Sequence, residues 1–151
     1  MQINLTQAQV KNYVKTYEEI KDLIDCYIND LSMKLADGNA KRREVTMLNP
    51  SLMYCDPYDF AFHNLSQFQQ IVNLMKQFKE HSNRSLVIDQ DEALILDHML
   101  DTNYLAEKYS STIDEIDQCM EKDQFLASKY RQKRDLKPKK KSWWKLWKFF
   151  G

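Results

Sequence analysis

Residues 6–35 read TQAQVKNYVKTYEEIKDLIDCYINDLSMKL, and the spacing of their apolar side chains decides the fold class. Val10, Tyr13, Tyr17, Ile20, Ile24, Tyr27 and Leu31 recur at alternating steps of three and four, the repeat that stacks side chains on one face of an α-helix. Val14, Leu23, Ile28 and Leu35 widen the stripe. At its start, Thr6 stands where an N-cap belongs, with Gln9 three residues on as its capping-box partner. Leu5 and Val10 occupy the positions of a hydrophobic staple. The pattern predicts a first helix running to about Ala36 and stopping at Asp37-Gly38.

Such a stripe is buried either within its own chain or against a second copy. A parallel dimeric coiled coil prefers β-branched residues at one seam position and leucine at the other, whereas tyrosines suit the edge of an intramolecular bundle, where the hydroxyl stays wet. Core packing is the expectation, and a homodimer through helix one is the alternative.

Outward from this helix, the composition points the same way. Two glycines and three prolines in 151 residues leave little material for tight turns and hairpins. The expected fold is all-α, a small bundle of three to five helices with a basic, aromatic C-terminal tail helix and no sheet. Residues 38–55, with Lys41, Arg42, Arg43 and an interrupting Pro50, are expected as a long solvated connection carrying a short extended piece at Val45 to Leu48. Asp56-Pro57 gives an N-cap followed by proline at the first helical position, with Asp59 in the first turn, so a second helix is predicted over 57–81. Its apolar face is Phe60, Leu65, Phe68, Ile71, Val72, Leu74, Met75 and Phe78.

Asp89 with Glu92 makes a second capping box ahead of Ala93, Leu94, Leu96, Met99 and Leu100. Asp101-Thr102 marks a break. Ser110 or Ser111 is expected to start a fourth helix through Ile113, Ile116, Cys119, Met120, Phe125, Leu126 and Tyr130, which runs on into the basic segment.

The net charge is zero, yet it is divided along the chain. Residues 129–151 hold ten bases and one acid, Asp135, for a net +9, and residues 1–128 hold twelve bases and twenty-one acids, for −9. A run of like charges repels itself unless an anionic surface approaches, so the division marks an interaction tail. The expected organisation is an acidic helical bundle over 1–134 and a basic amphipathic tail over 135–151.

The tail carries the candidate binding residues: Lys137, Lys139, Lys140, Lys141, Trp143, Trp144, Lys145, Leu146, Trp147, Lys148, Phe149 and Phe150. In helical geometry Trp143, Trp147 and Phe150 share a face, Trp144 and Leu146 flank it, and Lys141, Lys145 and Lys148 lie largely away from it. Tryptophan favours a lipid interface because its ring is apolar while its indole N–H still finds a partner among headgroups and water. Lysines add attraction to an anionic leaflet, and the two signals together give reversible peripheral anchoring. Nucleic acid is a second occupant, with lysines on phosphates and aromatics on bases. A protein groove, or the acidic body itself in an autoinhibitory clamp, is a third.

Little else in the sequence suggests chemistry. Leu105 to Cys119 resembles a helix-turn-helix in its spacing, but Asp114, Glu115, Asp117 and Glu121 would repel phosphate, so a hairpin that packs is expected. His63, His81 and His98 show no metal-ligand spacing. Asp89, Asp91 and Glu92 lack the glycine and spacing of a calcium loop. No phosphate-binding glycine loop, nucleophile elbow or cysteine–histidine pairing occurs, so neither catalysis, cofactor nor metal is expected. Cys26, Cys55 and Cys119, odd in number and widely spaced, read as reduced cytosolic thiols. The start, MQINLTQAQV, lacks a basic stretch followed by an apolar one, and no segment approaches the length of a bilayer span. The functional expectation is a non-enzymatic interaction or regulatory protein in the cytoplasm, tethered to the inner face of a membrane. An unidentified protein partner meets its acidic body.

Overall fold

The computed structural model describes residues 1–81 and 83–150, with residues 134–150 described without their side chains. The elements in order are β1 (Gln2–Leu5), α1 (Gln7–Leu48), a 3-10 helix (Pro50–Tyr54), α2 (Asp59–Glu80), β2 (Leu86–Asp89), α3 (Gln90–Met99) and α4 (Thr102–Phe150). The all-α bundle expected from the periodicity is the fold, and α1, α2 and α4 form its body.

The start of α1 is the predicted one. The Thr6 hydroxyl accepts from the Gln9 N–H at 3.2 Å, and the Thr6 N–H donates to Gln9 Oε1 at 2.8 Å. The helix does not stop at Gly38, however, and continues to Leu48, so the predicted connection and its extended piece at Val45 to Leu48 are helix instead. The fully buried positions explain why. Val10, Tyr17, Ile24, Leu31, Gly38 and Val45 fall at intervals of seven, so the glycine is the fifth member of a core seam that runs the length of the helix.

Gly38 sits in that seam because Tyr58 packs against it. A Cβ at position 38 would lie 2.7 Å from Tyr58 Cε1 and 3.0 Å from Cζ, closer than atoms approach. Glycine in a helix interior costs about 1 kcal/mol relative to alanine, and here it admits a buried aromatic ring. Gly38→Val is therefore expected to destabilise the fold by about 1–3 kcal/mol through overpacking, read as a lower urea midpoint with an unchanged m-value.

Cross-bundle contacts fix the helix directions. Tyr27 packs edge-on against Phe68 and Tyr13 against Phe78, so α2 runs antiparallel to α1. Asp30 meets Tyr109, Lys34 meets Asp117 and Arg42 meets Asp123, so α4 runs parallel to α1. A parallel pair needs a long return, which α2 supplies. Phe68, Ile71, Met75 and Phe78 from α2 join Ile24, Leu31, Leu105 and Ile116 in the core. Tyr109 stacks on Tyr27 with ring centroids 4.2 Å apart. Four residues predicted on apolar faces lie outside instead: Phe60 and Leu94 are half exposed, Phe125 is exposed and Leu23 stands at the rim.

The prediction of no sheet is also corrected. β1 and β2 pair antiparallel, with Gln2 opposite Asp89, Ile3 opposite Ile88, Asn4 opposite Val87 and Leu5 opposite Leu86. Leu5 and Ile88 are buried on the helices, which is what makes a two-stranded ribbon stable. Four residues of alternation paired across more than eighty positions leave no local signature.

α2 starts two residues later than predicted because Asp56 caps differently. Its Oδ1 accepts from the Tyr58 N–H at 2.9 Å and closes a turn ahead of the helix. α3 begins with both bonds of the predicted Asp89/Glu92 capping box, and the predicted break at Asp101-Thr102 separates it from α4. No second break occurs at Ser110 or Ser111. Ser110 and Ser111 lie inside α4, where the N–H groups that follow are bonded to carbonyls one turn back and need no cap, and the hydroxyls of Ser111 and Thr112 donate to the Lys108 carbonyl. The helix-turn-helix spacing of Leu105 to Cys119 thus lies on one uninterrupted helix.

Candidate functional site

The residues nominated from sequence, Lys137, Lys139, Lys140, Lys141, Trp143, Trp144, Lys145, Leu146, Trp147, Lys148, Phe149 and Phe150, have side chains outside the described residues. The end of the bundle from which they extend is described. α1 finishes there at Leu48, the 3-10 helix crosses it, α2 begins there, and α4 passes through with Arg131 paired to Glu44 of α1.

A buried polar network holds this end together. The Arg42 guanidinium donates through Nη1 to Asp123 Oδ1 at 3.0 Å and through Nη2 to the carbonyls of Leu52 and Cys55 at 3.0 and 3.1 Å. The second oxygen of Asp123 accepts from the Tyr58 hydroxyl at 3.0 Å. One arginine thereby ties α1, the 3-10 helix and α4 together, and the tyrosine adds the lead-in to α2. The Cys119 thiol donates to the Pro57 carbonyl at 3.5 Å. Arg42 Nε is buried without a partner. Burial, reinforced by the bond to Asp123, pushes the Tyr58 hydroxyl well above the usual tyrosine range, and burial also raises the Cys119 thiol.

The basic triplet is thus split, contrary to the solvated loop expected for it. Arg42 faces inward with 15% of its side chain exposed, Lys41 is half-buried and Arg43 is exposed. The sequence did contain a signal for this network. Along α4 the positions Leu105, Tyr109, Thr112, Ile116, Cys119, Asp123 and Ala127 keep a three-and-four spacing, so Asp123 occupies a core register. A lone acid in an apolar stripe requires a buried partner.

Farther along the bundle, α2, α3 and α4 border two adjoining shallow grooves that share Gln67 and Tyr104. Phe60, His63, Asn64, Lys108 and Ser111 lie on one side, and Asp91, Leu94, Ile95 and His98 on the other. His98 stacks on Tyr104 at 5.3 Å, and Lys108 both bonds Gln67 and sits over the Tyr104 ring. Asn64 donates to the buried Thr112 hydroxyl at 3.0 Å, which ties α2 to α4 beneath the groove. Tyr109, bonded to Asp30, is pushed up to about 12 by burial and that hydrogen bond.

No protein-family model, curated protein or solved structure matches the chain.

Among the described residues, no cluster of three or more histidine, cysteine or carboxylate side chains is arranged to hold a metal ion, and no helix is long and apolar enough to cross a membrane. The two groove histidines belong to separate contacts: His63 faces Gln67 one turn on, and His98 stacks on Tyr104. The three cysteines are free, with Cys26 and Cys55 exposed. Chemically, this arrangement offers a helical body, a mixed polar and apolar groove, and one helix, α4, that runs on into the basic segment.

Proposed function

We propose that the protein is a non-enzymatic interaction or regulatory protein, held peripherally on an anionic membrane by its C-terminal lysine- and tryptophan-rich segment, with its acidic body free to engage another protein. The observation that carries this reading is the segment KPKKKSWWKLWKFFG at 137–151, in which six large apolar residues in eight follow a lysine run. Either signal alone gives marginal attachment, whereas a polybasic run with an inserted aromatic cluster gives a stable but reversible one. Support also comes from the body. Its stripe of tyrosines and aliphatics is packed internally by α2 and α4. The cytoplasmic face of a membrane is the setting that supplies anionic lipid to such a segment.

Co-sedimentation with vesicles tests the tether. The full chain is expected to pellet with phosphatidylserine-containing vesicles and not with neutral ones. The Trp143→Ala/Trp144→Ala/Trp147→Ala variant should lose at least about tenfold in partitioning, since each buried aromatic contributes on the order of 1.5–3 kcal/mol when fully removed from water. Equal pelleting of the two proteins would sink the tether. Salt-sensitive retardation of DNA or RNA with no vesicle binding would assign the tail to nucleic acid instead.

A further inference from the structure

We propose that the tail-bearing end of the bundle is itself a second membrane contact, so that the body stands end-on with its acidic end directed away from an anionic lipid surface; this rests on the tether proposed above. Three observations carry it. The first is chain continuity. Arg131 is paired to Glu44 at this end of the bundle, and Trp143 follows only twelve residues later. At about 1.5 Å per helical residue, that spacing keeps this end of the body within roughly 18 Å of any surface the tryptophans enter.

The second is exposed apolar surface. Met47 at the close of α1 is 83% exposed, and Met53 and Tyr54 of the 3-10 helix are 65% and 90% exposed. Phe125, two residues on from Asp123 along α4, is 68% exposed. The backbone that presents two of them is held. Arg42 clamps the carbonyls of Leu52 and Cys55, on either side of Met53 and Tyr54, and thereby fixes the cap that presents them.

The third is charge. The tail-proximal part of the body, residues 38–62 and 121–133, holds seven bases and five acids, net +2. The remainder, residues 1–37 and 63–120, holds eight bases and sixteen acids, net −8. Charges farther than a Debye length, about 8 Å at physiological salt, are screened. The near end is therefore attracted, and the far end is repelled only when the body tips toward the lipid. Apolar tips at an end that also carries Lys41, Arg43, Lys129 and Lys133 suit shallow insertion among anionic headgroups, and the acidic end bearing α3 and the ribbon is left for a protein partner.

The native thiols provide the probes. Cys55 lies in the cap, and Cys26 lies exposed midway along α1. In the full chain, an environment-sensitive fluorophore is attached to Cys55 in a Cys26→Ser/Cys119→Ala form, and to Cys26 in a Cys55→Ser/Cys119→Ala form. Vesicles of phosphatidylcholine and phosphatidylserine are then added. The Cys55 probe should shift to the blue, brighten several-fold and be quenched by headgroup-depth nitroxide lipid, while the Cys26 probe stays unchanged. Met53→Asp/Tyr54→Asp, which alters only exposed side chains and should leave helical circular dichroism intact, is expected to weaken vesicle binding about tenfold. Pelleting with a silent Cys55 probe, or equal response of both probes, overturns the end-on contact while the tether stands. Absence of any pelleting overturns both.

Discussion

Asp123→Ala is expected to lower the folding free energy by about 3–5 kcal/mol, a large part of what a domain of this size possesses. Asp123 is 2% exposed and satisfies two groups at once, the Arg42 guanidinium and the Tyr58 hydroxyl. Its loss strands a positive charge that is already committed to the interior, because Arg42 also holds the Leu52 and Cys55 carbonyls and cannot swing into water without releasing the 3-10 helix. The cost is that of an unpaired buried charge rather than of one hydrogen bond, and this distinction can be measured. Tyr58→Phe, which removes one hydrogen bond to the carboxylate and leaves the charge pair in place, should cost about 1.5–3 kcal/mol. Replacing both charged partners, Arg42→Met with Asp123→Leu, should recover most of the loss in chemical denaturation, since a buried pair is often no better than packed hydrocarbon. A double variant as unstable as Asp123→Ala alone would show that the carbonyl contacts, not the charge pair, hold this end together.

The second large effect is expected at the membrane. Replacing Lys137, Lys139, Lys140 and Lys141 by glutamine removes four positive charges just ahead of the tryptophans. At about 1 kcal/mol per base near an anionic surface, partitioning onto phosphatidylserine-containing vesicles should fall by about a hundredfold to a thousandfold at low ionic strength. The difference should shrink as salt is added, because screening weakens the lysine contribution and leaves the aromatic one. The residual attachment of the glutamine variant should fall less steeply with salt, because Lys145, Lys148 and the bases ahead of the replaced run remain. Tyr58 and Asp123 belong to the bundle and not to this segment, so the variant should unfold at the same denaturant concentration as the unchanged chain. Equal salt dependence of the two proteins would assign the attraction to other charges, with Lys145 and Lys148 the first candidates and Lys41, Arg43, Lys129 and Lys133 the next.

The two effects concern opposite sides of one junction. Arg42, Tyr58 and Asp123 make the tail-bearing end of the body rigid, and the lysines and tryptophans supply what that end is proposed to hold. An anchor on a long helix orients its cargo only when the helix is fixed to the body. α4 is fixed by its core residues Leu105, Ile116 and Ala127 and, at the close, by the pairing of Arg131 with Glu44.

What was legible in the sequence were the features written in neighbouring residues. Both capping boxes, Thr6/Gln9 and Asp89/Glu92, need only a spacing of three, and the stripes of α1 and α2 need only their own periodicity, so both survive any tertiary arrangement. The charge division and the lysine and tryptophan segment are likewise properties of the chain alone. Where local signals are ambiguous, packing decided. Gly38 is an ordinary stop signal in isolation, and it became a helical core position because the Tyr58 ring, twenty residues on, needs the space a Cβ would take. Ser110 and Ser111 lost their capping role because the stripe from Leu105 to Ala127 is worth more as one continuous packed helix than as two. The β1–β2 ribbon, the parallel setting of α1 and α4, and the burial of Arg42 against Asp123 all join residues about eighty positions apart. The sequence by itself therefore determined which segments are helical at heart and which carry charge. Only the tertiary structure decided where those helices end and which polar groups go inside, because those choices depend on the space and the partners that distant residues supply.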